Sequence, residues 1–475
     1  MSLFKRNFFI GNLKVILGLV LAVLLIPVVL IAGQKTVIFL SKASAISANI
    51  VVDVTSSQGE LPRPWEGLSQ GGEQEQPGTL VSLSPVSASV KALGIKYIRV
   101  DHVLEDAFYP NLRNRIMEIT SSGAIPFISL SYFPSGVADS DIGTPTNWVL
   151  WQAKVKNLVE TVSGRNGMNI AGVYYEVWNE PDGPGFGNFS VGQGKDYFTL
   201  YKNTVQAVTA AQNINSFKIG GPSLADLRRC VGGGLFTCQT FWLDKFLELV
   251  SRDRLRLDFI SWHRYSLRMS DYKEDVNFIL EISKKYPNLP STQKIITEWG
   301  SDPARSPIHN TVFDAAHLVA SARTFIGHVD ITTKFEVRDG PDNQDKGWGI
   351  LYYNGAKKPT FEAIKLLGGL RRDRLLISGE GTYVTGIGSR DNSGVTIILS
   401  NYDRSGANTE SVPVKVMGLN AGKYRLTKNT INSVYPLGHE ETFEIVTADG
   451  VWISNELMST NSIVRYDFQL IGFNP

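Results

Sequence analysis

Cysteine is almost absent from this chain: Cys230 and Cys238 are the only two among 475 residues. A framework of disulfides is therefore excluded as the source of the fold, and no His/Cys cluster accompanies the pair to suggest a metal centre. Charge of one sign is lacking as well. Lys plus Arg number 47 against 45 Asp plus Glu, a formal net charge of +2, and no basic run is present. Such a balance gives no field to steer a nucleic acid, so the substrate expected is uncharged or only mildly charged. Internal repeats and low-complexity linkers are also missing. With 43% hydrophobic, 19% charged and 10% aromatic residues, what is present is an ordinary well-packed globular composition slightly rich in rings, and disorder is not expected.

Long apolar runs are scarce too, with one exception. Val15 to Gln34 carries no charge and lies between Lys14 and Lys35. At about 1.5 Å per residue a helix of that length spans roughly 30 Å, the thickness of the hydrocarbon layer. It reads as a transmembrane helix, with residues 1–14 cytoplasmic and 35–60 a linker. Ala43-Ser44-Ala45 offers the alternative of a cleaved signal segment, although the run exceeds a usual signal core. Lys5, Arg6 and Lys14 against Lys35 and Lys42 favour a cytoplasmic N-terminus. Either reading places the bulk of the chain outside the cytoplasm. In an exported protein Cys230 and Cys238, which bracket Val231-Gly232-Gly233-Gly234, suit a local disulfide, with two unpaired thiols as the alternative.

The length favours two domains. From residue 61 to about 370, short apolar runs alternate with longer helical patterns, the signature of a parallel α/β architecture. The strand candidates are Trp65 to Leu68, Lys96 to Val100, Pro126 to Tyr132, Val173 to Trp178, Lys218 to Gly221, Asp258 to Trp262, Lys294 to Thr297 and Thr333 to Val337. Eight of them imply a closed (β/α)8, or TIM, barrel. Between them, Phe198, Tyr201, Val205 and Val208, and likewise Val312, Ala316, Val319 and Ala320, keep one helical face apolar. From 371 to 475 the texture changes to period-two alternation, clearest in Val464 to Leu470 and present at Val395 to Leu399 and Thr442 to Val446. Asn392-Ser393-Gly394 and Asp449-Gly450 supply turns, so this part reads as an antiparallel β-sandwich. The strand-like Asn49 to Thr55 is a candidate edge strand for it.

In such a barrel the chemistry sits where strands end, and the strand ends here are unusually polar. Strand four runs into Trp178-Asn179-Glu180-Pro181, strand six into Trp262-His263-Arg264-Tyr265, and strand seven into Thr297-Glu298-Trp299. Two glutamates thus end strands on opposite sides of one mouth. Glycosidic cleavage needs that pair: one carboxyl protonated to release the leaving oxygen, one ionised to meet the oxocarbenium-like centre. A lone glutamate after a strand is as readily a solvated loop residue; the joint pattern is far less so. Trp178-Asn179-Glu180-Pro181 and Thr297-Glu298-Trp299 resemble the two catalytic signatures of clan A glycoside hydrolases. The likeness within the clan is to family 39, which includes β-xylosidases, α-L-iduronidases and exopolysaccharide-cutting enzymes. Trp65-Glu66-Gly67, Arg99 to His102, Ser261 to Tyr265, and Gly347 to Leu351 leading to Lys358-Pro359 add to it in order and spacing. The likeness covers roughly residues 50 to 475 and implies a barrel joined to a β-sandwich.

Carried over, the resemblance implies that Glu180 is the acid/base and Glu298 the nucleophile of a retaining glycosidase. It further implies that Asn179 binds the sugar 2-hydroxyl, that Tyr265 aims Glu298, and that His263 and His102 contact sugar. Arg99 stands either as a charge stabilising Glu298 or as half of a structural ion pair. Trp65, Trp178, Trp299 and Trp348 are candidates to stack on sugar faces, about two of the four being expected to do so. No cofactor or metal is expected; the expected partners are a carbohydrate and, through the N-terminal helix, a membrane. One departure stands out. Phe335 occupies the place where many relatives carry a tryptophan as the floor of the −1 subsite, with Glu336, Arg338 and Asp339 beside it. That weakens a simple xylosidase assignment and leaves Glu336 as a third carboxylate able to meet a substrate amine or hydroxyl. A transglycosylase, or a catalytically idle carbohydrate-binding scaffold, would share much of this pattern; paired carboxylates argue against the scaffold.

Overall fold

The structure, a computed structural model, describes residues 45–231, 238, 240–342 and 345–473. The apolar run from Val15 to Gln34 lies outside the described residues. Among the described residues no helix is long and apolar enough to cross a membrane.

Eight parallel strands close a barrel: Gly67–Gln70, Tyr97–Val100, Ile125–Leu130, Val173–Val177, Phe217–Leu224, Phe259–Tyr265, Gln293–Gly300 and Ile331–Phe335, here numbered one to eight. Strand eight pairs with strand one, so no edge is left open. The helices between them bury the faces their spacing marks. In helix Tyr197–Thr209, for example, Phe198, Tyr201, Val205 and Val208 are buried, and the Asp196 side chain caps the first turn by accepting from the Phe198 and Thr199 amides. The foot of the lumen is filled by a separate apolar cluster of Phe127, Tyr174, Phe259, Ile295 and Ile331. Its rings come from different strands and meet across the barrel, Phe127 lying 5.1 Å from Tyr174 and 5.5 Å from Phe259.

The second region is one nine-stranded sheet folded over its own core. In spatial order its strands are His439–Thr447, Gly422–Ile431, Ser462–Phe473, Gly394–Asn401, Val384–Asp391, Asp373–Ser378, Ile50–Glu60, Glu410–Met417 and Val451–Met458. Val451–Met458, at one edge, folds back so that Trp452 lies 5.1 Å from Tyr466 and 5.1 Å from Phe468 of the third strand. Two expectations need correction. Ile50–Glu60 is an interior strand, flanked by Asp373–Ser378 and Glu410–Met417, because it supplies ladders on both sides rather than covering an edge. It runs parallel to Glu410–Met417, so the sheet is mixed instead of wholly antiparallel. Period two holds along Val464 to Phe468, whose apolar members are buried. Val395 to Leu399 is buried on both faces, because helix Val312–Phe325 covers the outer one, and the Ser400 hydroxyl donates to the Ala316 carbonyl. Arg323 of that helix forks onto Glu380 at 2.9 and 2.8 Å, joining the barrel to the sheet. Cys230 and Cys238 form a disulfide on the loop after strand five.

Candidate active site

Side chains that face the lumen recur every second residue, so each strand carries a column from foot to mouth. On strand two the column is Tyr97 then Arg99; on strand four, Tyr174 then Glu176; on strand six, Phe259, Ser261, His263 and Tyr265. The apolar foot thus gives way to charge within one or two steps.

Arg99 is the hub. Its fully buried guanidinium donates from Nε to Glu176 Oε2 at 2.7 Å, from Nη1 to Glu298 Oε1 at 2.8 Å and from Nη2 to Asn179 Oδ1 at 2.8 Å. Burial works against its charge, but the Glu176 and Glu298 carboxylates outweigh that and hold it protonated more firmly than an ordinary arginine. A buried cation facing a buried carboxylate that is itself remote from the mouth is the structural pair; the same guanidinium also carries the charge against Glu298. Both sequence readings of Arg99 therefore apply at once.

Glu298 stands in register with His263 on the neighbouring strand. Its second oxygen accepts from the Tyr265 hydroxyl at 3.1 Å. Burial pushes its carboxyl above the ordinary glutamate range, and the His263 and Arg99 charges only partly offset this. His263 lies between the two glutamates: Nδ1 is 2.8 Å from Glu180 Oε1 and 3.6 Å from Glu298 Oε2, while Nε2 is 2.9 Å from the Ser223 hydroxyl. Burial would lower its basicity, but the Glu298 charge and the Glu180 hydrogen bond raise it overall. Glu180 follows strand four in a left-handed backbone conformation, φ 45°, as does Trp178 at φ 72°, a conformation that costs energy in a residue with a Cβ. The kink lets Asn179 reach Arg99 while Glu180 rises to the partly open rim. Asn179 Nδ2 donates to the Tyr132 hydroxyl at 2.9 Å, and an amide nitrogen has a second N–H to offer.

His102 and Phe335 lie on the opposite wall. His102 is half-buried, its Nδ1 2.5 Å from Glu105 Oε1 and its ring 4.8 Å from Tyr132. Burial opposes its charge, yet Asp101 and Glu105 push it up to about 9, so it is a cation at neutral pH. Phe335 packs edge-on to Trp348 at 5.5 Å, and both are half-buried. The remaining tryptophans do not reach the mouth. Trp65 precedes strand one, next to Pro64, whose carbonyl accepts from the Thr332 amide at the start of strand eight, and it is buried in the core at the barrel foot. Trp299 follows an inward Glu298 and therefore faces outward, where it packs on Phe325 at 4.9 Å. Trp178 is buried against Phe133 and Phe189. Sequence reasoning missed Glu176, Ser223 and Tyr132. Glu176 left a signal, a charge inside an apolar strand, which demands a buried partner; Ser223 left none.

One oxygen each of Glu180 and Glu298 and a ring nitrogen of His263 all lie within 4.8 Å of one another. Such a trio is close enough to hold a cation, but Arg99 and His263 already set positive charge against Glu298. Two carboxyls at this spacing can attack and protonate opposite sides of one bond. The model of the family described as Glycosyl hydrolases family 39 matches residues 101–426, most of the chain. This chain belongs to glycosyl hydrolase family 39. It is a glycosidase, hydrolysing O-glycosyl compounds. It is similar to a beta-xylosidase of Caldicellulosiruptor saccharolyticus, 26% identical over 363 residues that cover 67% of this chain and 69% of that protein. Two solved structures share the fold at a TM-score of 0.72. The family 39 enzyme from Xanthomonas axonopodis pv. citri is 19% identical and aligned over 90% of this chain and 99% of its own. The monomeric beta-xylosidase from Caulobacter crescentus CB15 is 20% identical over 90% of this chain and 100% of its own.

Proposed function

We propose that this family 39 glycosidase is a retaining enzyme that cleaves a poly- or oligosaccharide by double displacement. Glu180 is the acid/base and Glu298 the nucleophile. The observation that carries the reading is the approach of one oxygen of each carboxyl to within 4.8 Å. Retention calls for a separation of about 5–5.5 Å, whereas inversion needs roughly 6.5–9.5 Å to admit a water between sugar and base.

The surroundings support this division of roles. Glu298 holds two fixed donors, Arg99 and Tyr265, which suit a carboxylate that must attack while ionised. Glu180 shares one oxygen with His263 and is partly exposed at the rim, as a proton donor to the leaving oxygen requires. In the first step the glycosidic C–O bond breaks, the leaving oxygen takes the proton of Glu180, and Glu298 bonds to the anomeric carbon. In the second, Glu180 takes a proton from the attacking water and Glu298 departs. The free N–H of Asn179 is placed to meet the 2-hydroxyl, where hydrogen bonds strengthen in the transition state. Phe335 and the half-buried Trp348 make a narrower aromatic floor than a tryptophan would, which favours a polymer over a simple aryl β-xyloside. The uncharged run of residues 15–34 supports a catalytic part outside the cytoplasm, anchored to the membrane by that run or secreted if it is cleaved.

The test is stereochemical. Wild type, Glu180→Ala and Glu298→Ala enzymes are offered aryl β-xylosides and a panel of soluble polysaccharides, and the anomer first released is read by NMR. Retained configuration is expected, with azide restoring turnover of an activated substrate to Glu298→Ala and yielding an inverted glycosyl azide. Inverted product from wild type would sink the reading. Fractionation of cells, with protease added outside, reads the location.

A further inference from the structure

Glu336 follows Phe335 directly, yet it is fully buried and does not face the opening. Its Oε2 accepts from Gln70 Nε2 at 2.9 Å and from the Gly71 amide at 3.4 Å. Gln70 uses its other contacts to clamp the next turn, giving Nε2–H to the Arg338 carbonyl and accepting the Arg338 amide, both at 3.0 Å. Its Oε1 is buried as well and has no hydrogen-bond partner among the described residues. A buried carboxylate with neither a cation nor a donor on that oxygen is costly, which favours the protonated form. The cations nearby are engaged elsewhere: Arg305 with Glu73 Oε1 at 3.0 Å, Lys358 with Asp339 at 2.7 Å, Arg338 with Glu75 at 3.2 Å. Burial, reinforced by Glu73, pushes the Glu336 carboxyl well up.

The segment between these anchors is Gly71-Gly72. A Cβ on Gly71 would lie 2.8 Å from the Phe335 ring, and one on Gly72 would lie 2.2 Å from His102. The bare backbone therefore fills the gap between the floor and the histidine. Glu73 continues the segment and accepts the Gly340 amide at 2.8 Å.

We propose that Glu336 is a positioning residue acting as a neutral acid: through its bonds to Gln70 and Gly71 it fixes the glycine wall and Phe335 as one surface of the sugar pocket. This rests on the barrel mouth being the sugar site. A glutamine reproduces a protonated glutamate, since it is neutral and of the same shape and its oxygen accepts from Gln70 and Gly71. An alanine reproduces neither.

Three variants of the full chain test it: Glu336→Gln, Glu336→Ala and Gly71→Ala. On whichever substrate wild type cleaves, Glu336→Gln should keep kcat/KM within about threefold, the scale of one altered hydrogen bond. Glu336→Ala should lose about 10- to 100-fold, mainly through KM, as a misplaced binding wall does. Gly71→Ala should lose kcat/KM in the same way, without touching a carboxyl. Infrared difference spectra at neutral pH should show a protonated-carboxyl band in wild type that is missing from Glu336→Gln. Crystal structures of the two Glu336 variants add a readout that needs no substrate: Phe335 and Gly71 should stay in place with glutamine and shift with alanine. The proposal falls if Glu336→Gln is as impaired as Glu336→Ala, if Glu336→Ala leaves kcat/KM and Phe335 unchanged, or if the band is absent from wild type. Should wild type cleave nothing offered, it is the sugar-site reading that fails, and the spectra and structures still decide the proton on Glu336 and the wall.

Discussion

The two ends of the barrel lumen are built from the same strands and obey opposite rules. At the foot, Phe127, Tyr174, Phe259, Ile295 and Ile331 touch one another and nothing charged is needed among them. One or two steps up the same columns, Arg99, Glu176, His263 and Glu298 are equally buried and carry charge. Removing charges from water is costly unless each is paired and hydrogen-bonded, so the upper layer is a closed circuit in which every member depends on another. The foot is redundant by comparison. A lost methylene there leaves a cavity; a lost partner at the mouth leaves an ion without a counterpart.

This contrast sets the order of expected effects. Glu298→Ala should lower kcat by about four orders of magnitude, the scale seen when a group that acts in the covalent step is deleted. Its melting temperature should fall less than that of the arginine variant below, because Arg99 keeps Glu176 as its counter-ion. Arg99→Met should be damaging in both respects, since it strands Glu176 in the interior; a stability loss of about 3–5 kcal/mol is expected from urea titration. If Arg99→Met unfolds like wild type, the circuit is not what holds the upper layer. Phe127→Ala should cost a similar amount, about 3–5 kcal/mol, while leaving kcat nearly unchanged. An equal loss of turnover would show that the two ends are not independent. Tyr265→Phe, which removes one donor to Glu298, should lower kcat by about tenfold, roughly the value of one hydrogen bond to a charged group.

The smallest effect concerns pH. As the nucleophile proposed above, Glu298 would have to be ionised to attack, and burial raises its carboxyl in the free enzyme. The acid limb of kcat/KM should therefore lie above the ordinary glutamate range, with activity lost as pH falls through it. His263 holds that carboxyl down by its charge, so His263→Gln should move the limb to higher pH still. A shift the other way would mean that the limb reports another group.

Much of this was legible because parallel strands buried on both faces read as unbroken apolar runs, and a charge directly after such a run has few structural excuses. That is why Glu180 and Glu298 stood out. Trp65 and Trp299 were misjudged for a reason that strand direction and alternation expose. Trp65 comes before its strand and so lies at the foot, and Trp299 comes one residue after an inward glutamate and so points outward. Ser223 and Tyr132 were invisible, being ordinary residues that matter only through what tertiary folding sets beside them. The interior place of Ile50–Glu60 was equally hidden, since its partners lie at Asp373–Ser378 and Glu410–Met417, far along the chain.

That strand has a mechanical consequence. A pull on the chain from its N-terminal side would not peel an edge but would load Ile50–Glu60 lengthwise, in shear, against ladders on both flanks at once. Bonds loaded together resist far more force than bonds opened one by one. The enzyme is thus gripped at the middle of its folded sheet, and a truncation starting after Glu60 would remove the grip together with the seam that holds the sheet's two halves in one piece.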